Sequence, residues 1–135
     1  MNWYTPVAIL AFCLFFYGNA YAHDPENPDL NQWYASLMQP DNPTVSCCGE
    51  ADGYWCEDIH VKELVLQGVK QKATTCRITD NRPDEPLNRM HVDIGTEIII
   101  PDHKLTYKYG NPTGHSLVFL SKMQYVYCFI QTGGI

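Results

Sequence analysis

Ile59-His60-Val61-Lys62-Glu63-Leu64-Val65-Leu66, then Gln67-Gly68, then Val69-Lys70-Gln71-Lys72-Ala73-Thr74-Thr75-Cys76-Arg77-Ile78, is the stretch that decides the fold. Two runs rich in Val, Ile, Leu and Thr flank a two-residue break that ends in glycine. That pattern predicts strands at Ile59–Leu66 and Val69–Ile78 joined as a β-hairpin. Downstream, Thr79–Arg89 holds Asp80, Asn81, Arg82, Pro83, Asp84, Glu85 and Pro86, a long polar loop. Val92, Ile94 and Glu97–Ile100 read as strand, broken at Gly95 and ended by Pro101. Lys104–Tyr109 reads as a short strand, and Gly110–Gly114 as a turn. His115–Ser121 and Tyr125–Gln131 make a last hairpin around Lys122-Met123-Gln124. Short strands with turns every eight to twelve residues predict a mainly β domain. The expected form is a small antiparallel, partly open barrel of SH3-like size, or a sandwich.

Upstream of the hairpin the periodicity changes. Leu30, Trp33, Tyr34, Leu37 and Met38 recur at helical spacing, which predicts an amphipathic helix over residues 28–39. Asn27 fits its N-cap, Pro28 its first position and Asp29 its first turn, and Pro40 stops it. This helix is expected to cover one mouth of the β domain. Pro40-Asp41-Asn42-Pro43 is a turn, and Ser46–Gly53, with Cys47 and Cys48, reads as a loop.

At the start of the chain, Pro6–Tyr17 is a short apolar run followed by Gly18-Asn19-Ala20-Tyr21-Ala22. Small residues at −3 and −1 of a cut after Ala22 are those of a secretory signal peptide, and a dozen apolar residues are too few for a span. Residues 1–22 are therefore expected to be removed, leaving a single secreted or periplasmic domain, 23–135, with its β part at about 54–131. No stable membrane span is expected after cleavage. An uncleaved anchor is the rival, because the first five residues lack Lys and Arg. Cys13 lies inside the apolar run, which argues against a lipid-attachment site.

Export makes cysteine oxidation available. The secreted part carries Cys47, Cys48, Cys56, Cys76 and Cys128, an odd number. Cys56 and Cys76 flank the first hairpin and are expected to pair. Cys128 pairs with Cys47 or Cys48. Cys48 is favoured because Gly49 beside it frees the backbone, which leaves Cys47 as the free thiol. Closing some eighty residues this way stabilises by roughly 4 kcal/mol in the chain-entropy picture. Neither Cys-x-x-Cys nor zinc-ribbon spacing occurs.

The chain has 9 Lys and Arg against 15 Asp and Glu, a net charge of −6. That argues against nucleic acid and anionic membrane surfaces as partners. An exposed His23 would offer its α-amine and Nδ1 to one metal, and a second imidazole would complete a three-nitrogen site suited to copper. His115 and His91 are the leading candidates for that imidazole, with His60 and His103 behind them. The acidic set Asp80, Asp84, Glu85 and Asp93 lacks calcium-loop spacing and, with Arg82 and Arg89 interleaved, reads as an internally paired loop. Glu50, Asp52, Glu57 and Asp58 are candidates for a glycosidase-like carboxyl pair, without a spacing that fixes it. Ser46 and Ser116 lack a nucleophile elbow.

His23-Asp24, Trp33-Tyr34, Cys47-Cys48, Cys128-Phe129 and Gly133-Gly134 together give the chain a resemblance to short uncharacterised secreted proteins of Gram-negative bacteria. The resemblance covers most of the secreted part and implies no activity. The leading expectation is a non-enzymatic, disulfide-stapled, envelope-associated or secreted domain that binds an unknown ligand or protein. The alternatives are a copper-binding protein or small copper monooxygenase built on His23, and an inhibitor of a secreted enzyme that presents the Thr79–Arg89 loop.

Overall fold

The structure is a computed structural model, and it describes residues 27–132. The expected signal peptide at 1–22, His23 and the Gly133-Gly134 end lie outside them. A 3-10 turn at Pro28–Leu30 leads into helix α1, Asn31–Ser36. Strands β1 (Met38–Gln39) and β2 (Asn42–Ser46) form a small antiparallel pair. Six further strands make one curled sheet: β3 (Ala51–Leu66), β4 (Val69–Ile78), β5 (Glu97–Ile100), β6 (Leu105–Thr106), β7 (Leu117–Ser121) and β8 (Val126–Ile130). Their order is β5-β4-β3-β7-β8-β6. Every pairing is antiparallel except β6 on β8. Helix α2, Asp84–Leu87, sits in the long polar loop. The expected mainly β, antiparallel, partly open fold with a short N-terminal helix and two disulfides is what forms.

Strand β3 organises the sheet. Its first part, Ala51–Trp55, pairs with β7, and its second part, from Cys56 on, pairs with β4. The register slips between Glu57 and His60, where Asp58 has a positive φ of 51°. Such a bulge bends a strand and sharpens its twist, which lets one strand serve two parts of a curling sheet. At the hairpin, Gln67 (φ 53°) and Gly68 (φ 78°) both occupy the left-handed region. That is the turn whose twist matches the two flanking strands.

The sheet is covered on both faces, and period-two alternation distributes its residues between two cores. Val118, Leu120 and Phe129 join Tyr54, Ile78, Val92, Ile98 and Ile100 in one. Leu117, Phe119 and Ile130 join Tyr34, Leu37 and Ala51 in the other, beneath α1. Each core holds one disulfide, Cys56–Cys76 in the first and Cys47–Cys128 in the second. Strand β7 is buried along its whole length because neither of its faces meets water.

Several boundaries differ from the sequence reading. Helix α1 ends at Ser36 rather than residue 39, because Leu37 turns extended and enters the core. Asn27 holds the helix start through its backbone carbonyl, which accepts Leu30 N–H, not through its side chain. Strand structure resumes at Ala51, inside the segment read as a loop. Val92 is a core residue but belongs to no strand, since the chain turns at Ile94-Gly95. The 104–109 segment contributes only the two residues of β6.

The second disulfide is also a correction: Cys128 pairs with Cys47, and among the described residues Cys48 is the free thiol and is buried. Backbone pinning decides the choice. Cys47 N–H donates to Leu37 O at 2.9 Å, which fixes it beside the β1–β2 pair. Ser46 Oγ then accepts Cys48 N–H and turns the next residue away, so that its thiol donates to Tyr34 O. The freedom offered by Gly49 has no part in this.

Candidate functional site

Trp55 and Glu57 lie two residues apart on β3 and so share a face. Trp55 sits opposite Leu117 in the β3–β7 ladder, and Cys56 N–H donates to Ser116 O at 2.8 Å, continuing it. The next pair along is Glu57 and His115. His115 Nδ1 lies 3.0 Å from Glu57 Oε1, and the other carboxylate oxygen accepts Thr79 Oγ1 at 2.7 Å. The imidazole stacks on the Trp55 indole, with centroids 3.8 Å apart and planes within 9°. The Arg82 guanidinium also lies against that indole, its carbon 4.4 Å from the ring centroid.

A cleft of about 400 Å³ opens over this group. Its walls are Asn27, Pro28, Asp29 and Leu30 from the lead-in to α1, Tyr34 of α1, Trp55, Arg82, and Pro112, Thr113 and His115 from the turn before β7. That turn is rigid. Asn111 Oδ1 accepts Thr113 N–H and Oγ1–H, and Asn111 Nδ2 donates to His115 O at 2.7 Å. On the helix side, Trp33 Nε1 donates to Gly110 O at 2.6 Å, and Tyr34 packs edge-on against Phe119.

Below the cleft the polar loop is locked from inside. The Asp80 carboxylate is fully buried and accepts Trp55 N–H, Arg82 Nε and Nη2, and Arg89 Nη1. Burial pushes its pKa up, but the hydrogen bonds from Arg82 and Arg89 outweigh that and hold it well below the usual carboxylate range. Arg89 is buried too. It reaches Asp84, Gly53 O and Arg82 O, and lies over the Tyr54 ring. Tyr54 donates its hydroxyl to Met90 O, and burial, helped by Asp52, lifts its pKa to about 12. The reading of Asp80, Asp84, Arg82 and Arg89 as an internally paired loop matches this geometry.

The described histidines each meet a different carboxylate. His115 meets Glu57, His60 meets Asp58 at 2.7 Å, and His103 lies 3.9 Å from Asp41. His91 has both ring nitrogens on carboxylates, Nδ1 on Asp84 at 2.7 Å and Nε2 on Asp93 at 2.8 Å. These contacts, Asp84 first and Asp93 second, raise its pKa. His91 and His115 are thus committed to separate places. Among the described residues, no three His, Cys, Asp or Glu side chains are grouped to hold a metal ion. The four carboxylates considered as an acid/base pair are likewise dispersed: Glu57 on His115, Asp58 on His60 and Arg77, Asp52 half-buried, Glu50 exposed. Ser46 and Ser116 bind backbone groups and have structural roles.

Sequence reasoning took His115 as a metal-ligand candidate, Glu57 as a carboxyl-pair candidate and Arg82 as a paired loop residue, but did not bring them together around Trp55. Trp55 and Glu57 share a strand face, which period two makes legible. Their convergence with Arg82 and His115, 58 positions beyond Glu57, is a product of strand order. The chain matches no protein-family model, no curated protein and no solved structure.

Proposed function

We propose that the protein is an exported, non-enzymatic binding domain whose ligand seat is the Trp55–His115–Arg82 cleft. The observation that supports this reading best is the pre-organisation of the cleft. Trp55 has a ring on it from His115 and a cation from Arg82, and both of those groups are anchored by carboxylates. A concave recess with an aromatic wall and a few fixed polar groups is the usual form of a small-molecule or short-peptide site. A preformed wall also spares the ordering cost of binding. The two disulfides fit an oxidising extracellular or periplasmic location. No helix among the described residues is long and apolar enough to cross a membrane.

The test is a screen of isotope-labelled protein against aromatic acids, short peptides and oligosaccharides by NMR. The expected result is that binders shift Thr113, His115 and the Trp55 indole N–H, and that Trp55→Ala removes the response. Binders that leave those signals still while shifting others would place the seat elsewhere.

One observation favours a second reading, copper binding through His23. Asn27 lines the cleft that holds His115. Four residues of chain span at most about 14 Å, so His23 is tethered within that distance of Asn27. Glu57 holds His115 Nδ1, which leaves Nε2 as the ligating atom, in the carboxylate–histidine arrangement common around metals. Copper would supply Lewis acidity or one-electron chemistry there. Copper titration followed by EPR decides the matter. Affinity that survives both an alanine inserted before His23 and His115→Ala would rule this site out.

A further inference from the structure

The β3–β4 hairpin runs well past the rest of the sheet. On β3, strand β7 reaches only Ala51–Trp55, and on β4, strand β5 reaches only Thr74–Arg77, so among the described residues the two strands pair only with each other from Val61 to Lys72. A free two-stranded ribbon is marginal in water. One of its faces carries Val61, Glu63 and Val65, directly opposite Thr74, Lys72 and Lys70. It continues the face on which Cys76, Ile98 and Ile100 enter the core. Past the core that face is uncovered, leaving Val61 68 % and Val65 63 % exposed. Glu63 and Lys72 are cross-strand neighbours, and both are exposed.

We infer that this face is covered by the same face of a second copy of the chain. Directly opposed residues share a face and a height along the ribbon. If two ribbons pack face to face about a two-fold axis parallel to the strands, β3 of one lies over β4 of the other. Glu63 then meets Lys72 of the second copy, and Lys72 meets its Glu63. Glu63 and Lys72 are answered at once, Lys70 lays its stem along Val65 of the second copy with its ammonium in water, and Val61 and Val65 leave water. A partner of one charge sign would leave either Glu63 or Lys72 facing its like. Only a surface with the same alternation matches both, and a two-fold supplies it automatically. The face is small, so the association is weak and concentration-dependent.

Sedimentation equilibrium of the purified, disulfide-intact protein, over about 1 μM to 1 mM, tests this. The expected result is a monomer–dimer equilibrium. Glu63→Lys and Lys72→Glu should each weaken it at least about tenfold, because each creates two like-charge contacts. The double variant Glu63→Lys with Lys72→Glu should restore it to within about threefold, since the exchanged charges are again complementary. Val61→Asp should weaken it without such rescue. All three side chains changed are exposed, and circular dichroism with an intact-mass check of both disulfides confirms folding. A monomer throughout, or a dimer indifferent to the reversals, or a double variant no better than the singles, overturns the inference.

Discussion

At the scale of single residues, Asp80 and Cys48 show two outcomes of burial. Asp80 is a fully buried carboxylate that two arginines and the backbone amides of Trp55 and Arg82 keep ionised. Replacing it by Asn leaves Asp84 as the one ion-pair partner of the buried Arg89 among the described residues. Loss of one partner from such a buried pair costs about 3 kcal/mol, to be read from urea denaturation. The pH dependence has a definite sign. The folded pKa lies below the unfolded value, so the stabilisation is complete above the ordinary Asp range and is lost as pH falls through the lower, folded value. The gap between wild type and Asp80→Asn should therefore be constant near neutrality and close only in strong acid. Cys48 is buried without a counter-charge, and burial, aided by Asp52, pushes its thiol up to about 12. A thiolate is the reactive form. Cut after Ala22, which removes Cys13, the native protein should therefore not consume a thiol reagent at pH 8, and one equivalent should react after unfolding without reduction. Rapid labelling in the native state would contradict the burial of Cys48.

At the scale of elements, the hairpin turn is the point where local chemistry and geometry disagree. Gln67 occupies a left-handed conformation that disfavours a long side chain, while its neighbour Gly68 has no such cost. Asn is the residue this turn prefers at that position. Gln67→Asn should raise stability by about 0.5 kcal/mol with the fold unchanged, measured as a shift in the urea midpoint at constant slope. No change, or a loss, would show that the turn is held by the ribbon rather than by its own residues. The bulge at Glu57–His60 acts in the opposite way, spending strand regularity on direction. It separates the part of β3 that builds the cleft from the part that forms the projecting ribbon. The two proposed binding surfaces are therefore carried by one strand yet lie on different parts of the molecule.

At the scale of the whole molecule, the two disulfides constrain the unfolded chain unequally. Cys56–Cys76 spans 20 positions and Cys47–Cys128 spans 81. Loop-closure entropy grows with the logarithm of that length, so the longer staple should contribute about 1 kcal/mol more. Denaturation of the double variants Cys56→Ala with Cys76→Ala and Cys47→Ala with Cys128→Ala gives the comparison. Equal losses would mean that packing around the sulfurs outweighs chain entropy. Cys47–Cys128 also ties the segment after β2 to β8, beneath α1, so its loss should loosen the helix side and the cleft with it.

The alternation around Gln67-Gly68 made the hairpin legible in the sequence, and helical spacing placed α1. Strand pairing sets Cys56 opposite Ile78, two positions from Cys76 on the same strand, which brings the two cysteines of that hairpin within reach of each other. Arg82 and Arg89 among the acids of the polar loop likewise announced internal pairing. These are local or near-local properties, which residue chemistry and periods of two and 3.6 determine. The choice of Cys47 over Cys48 turned on two backbone hydrogen bonds that no composition reveals. The start of β3 at Ala51 was hidden because glycine and aspartate there are paired to an entirely buried β7 rather than to their own neighbours. The meeting of Trp55, Glu57, Arg82 and His115 required the order β4-β3-β7, which joins residues far apart in the chain. The sequence by itself determined the class of fold and the Cys56–Cys76 staple, since these follow from short-range pattern. Tertiary structure alone decided the cleft, because a site is made where strands meet, and that meeting depends on the packing of the whole sheet.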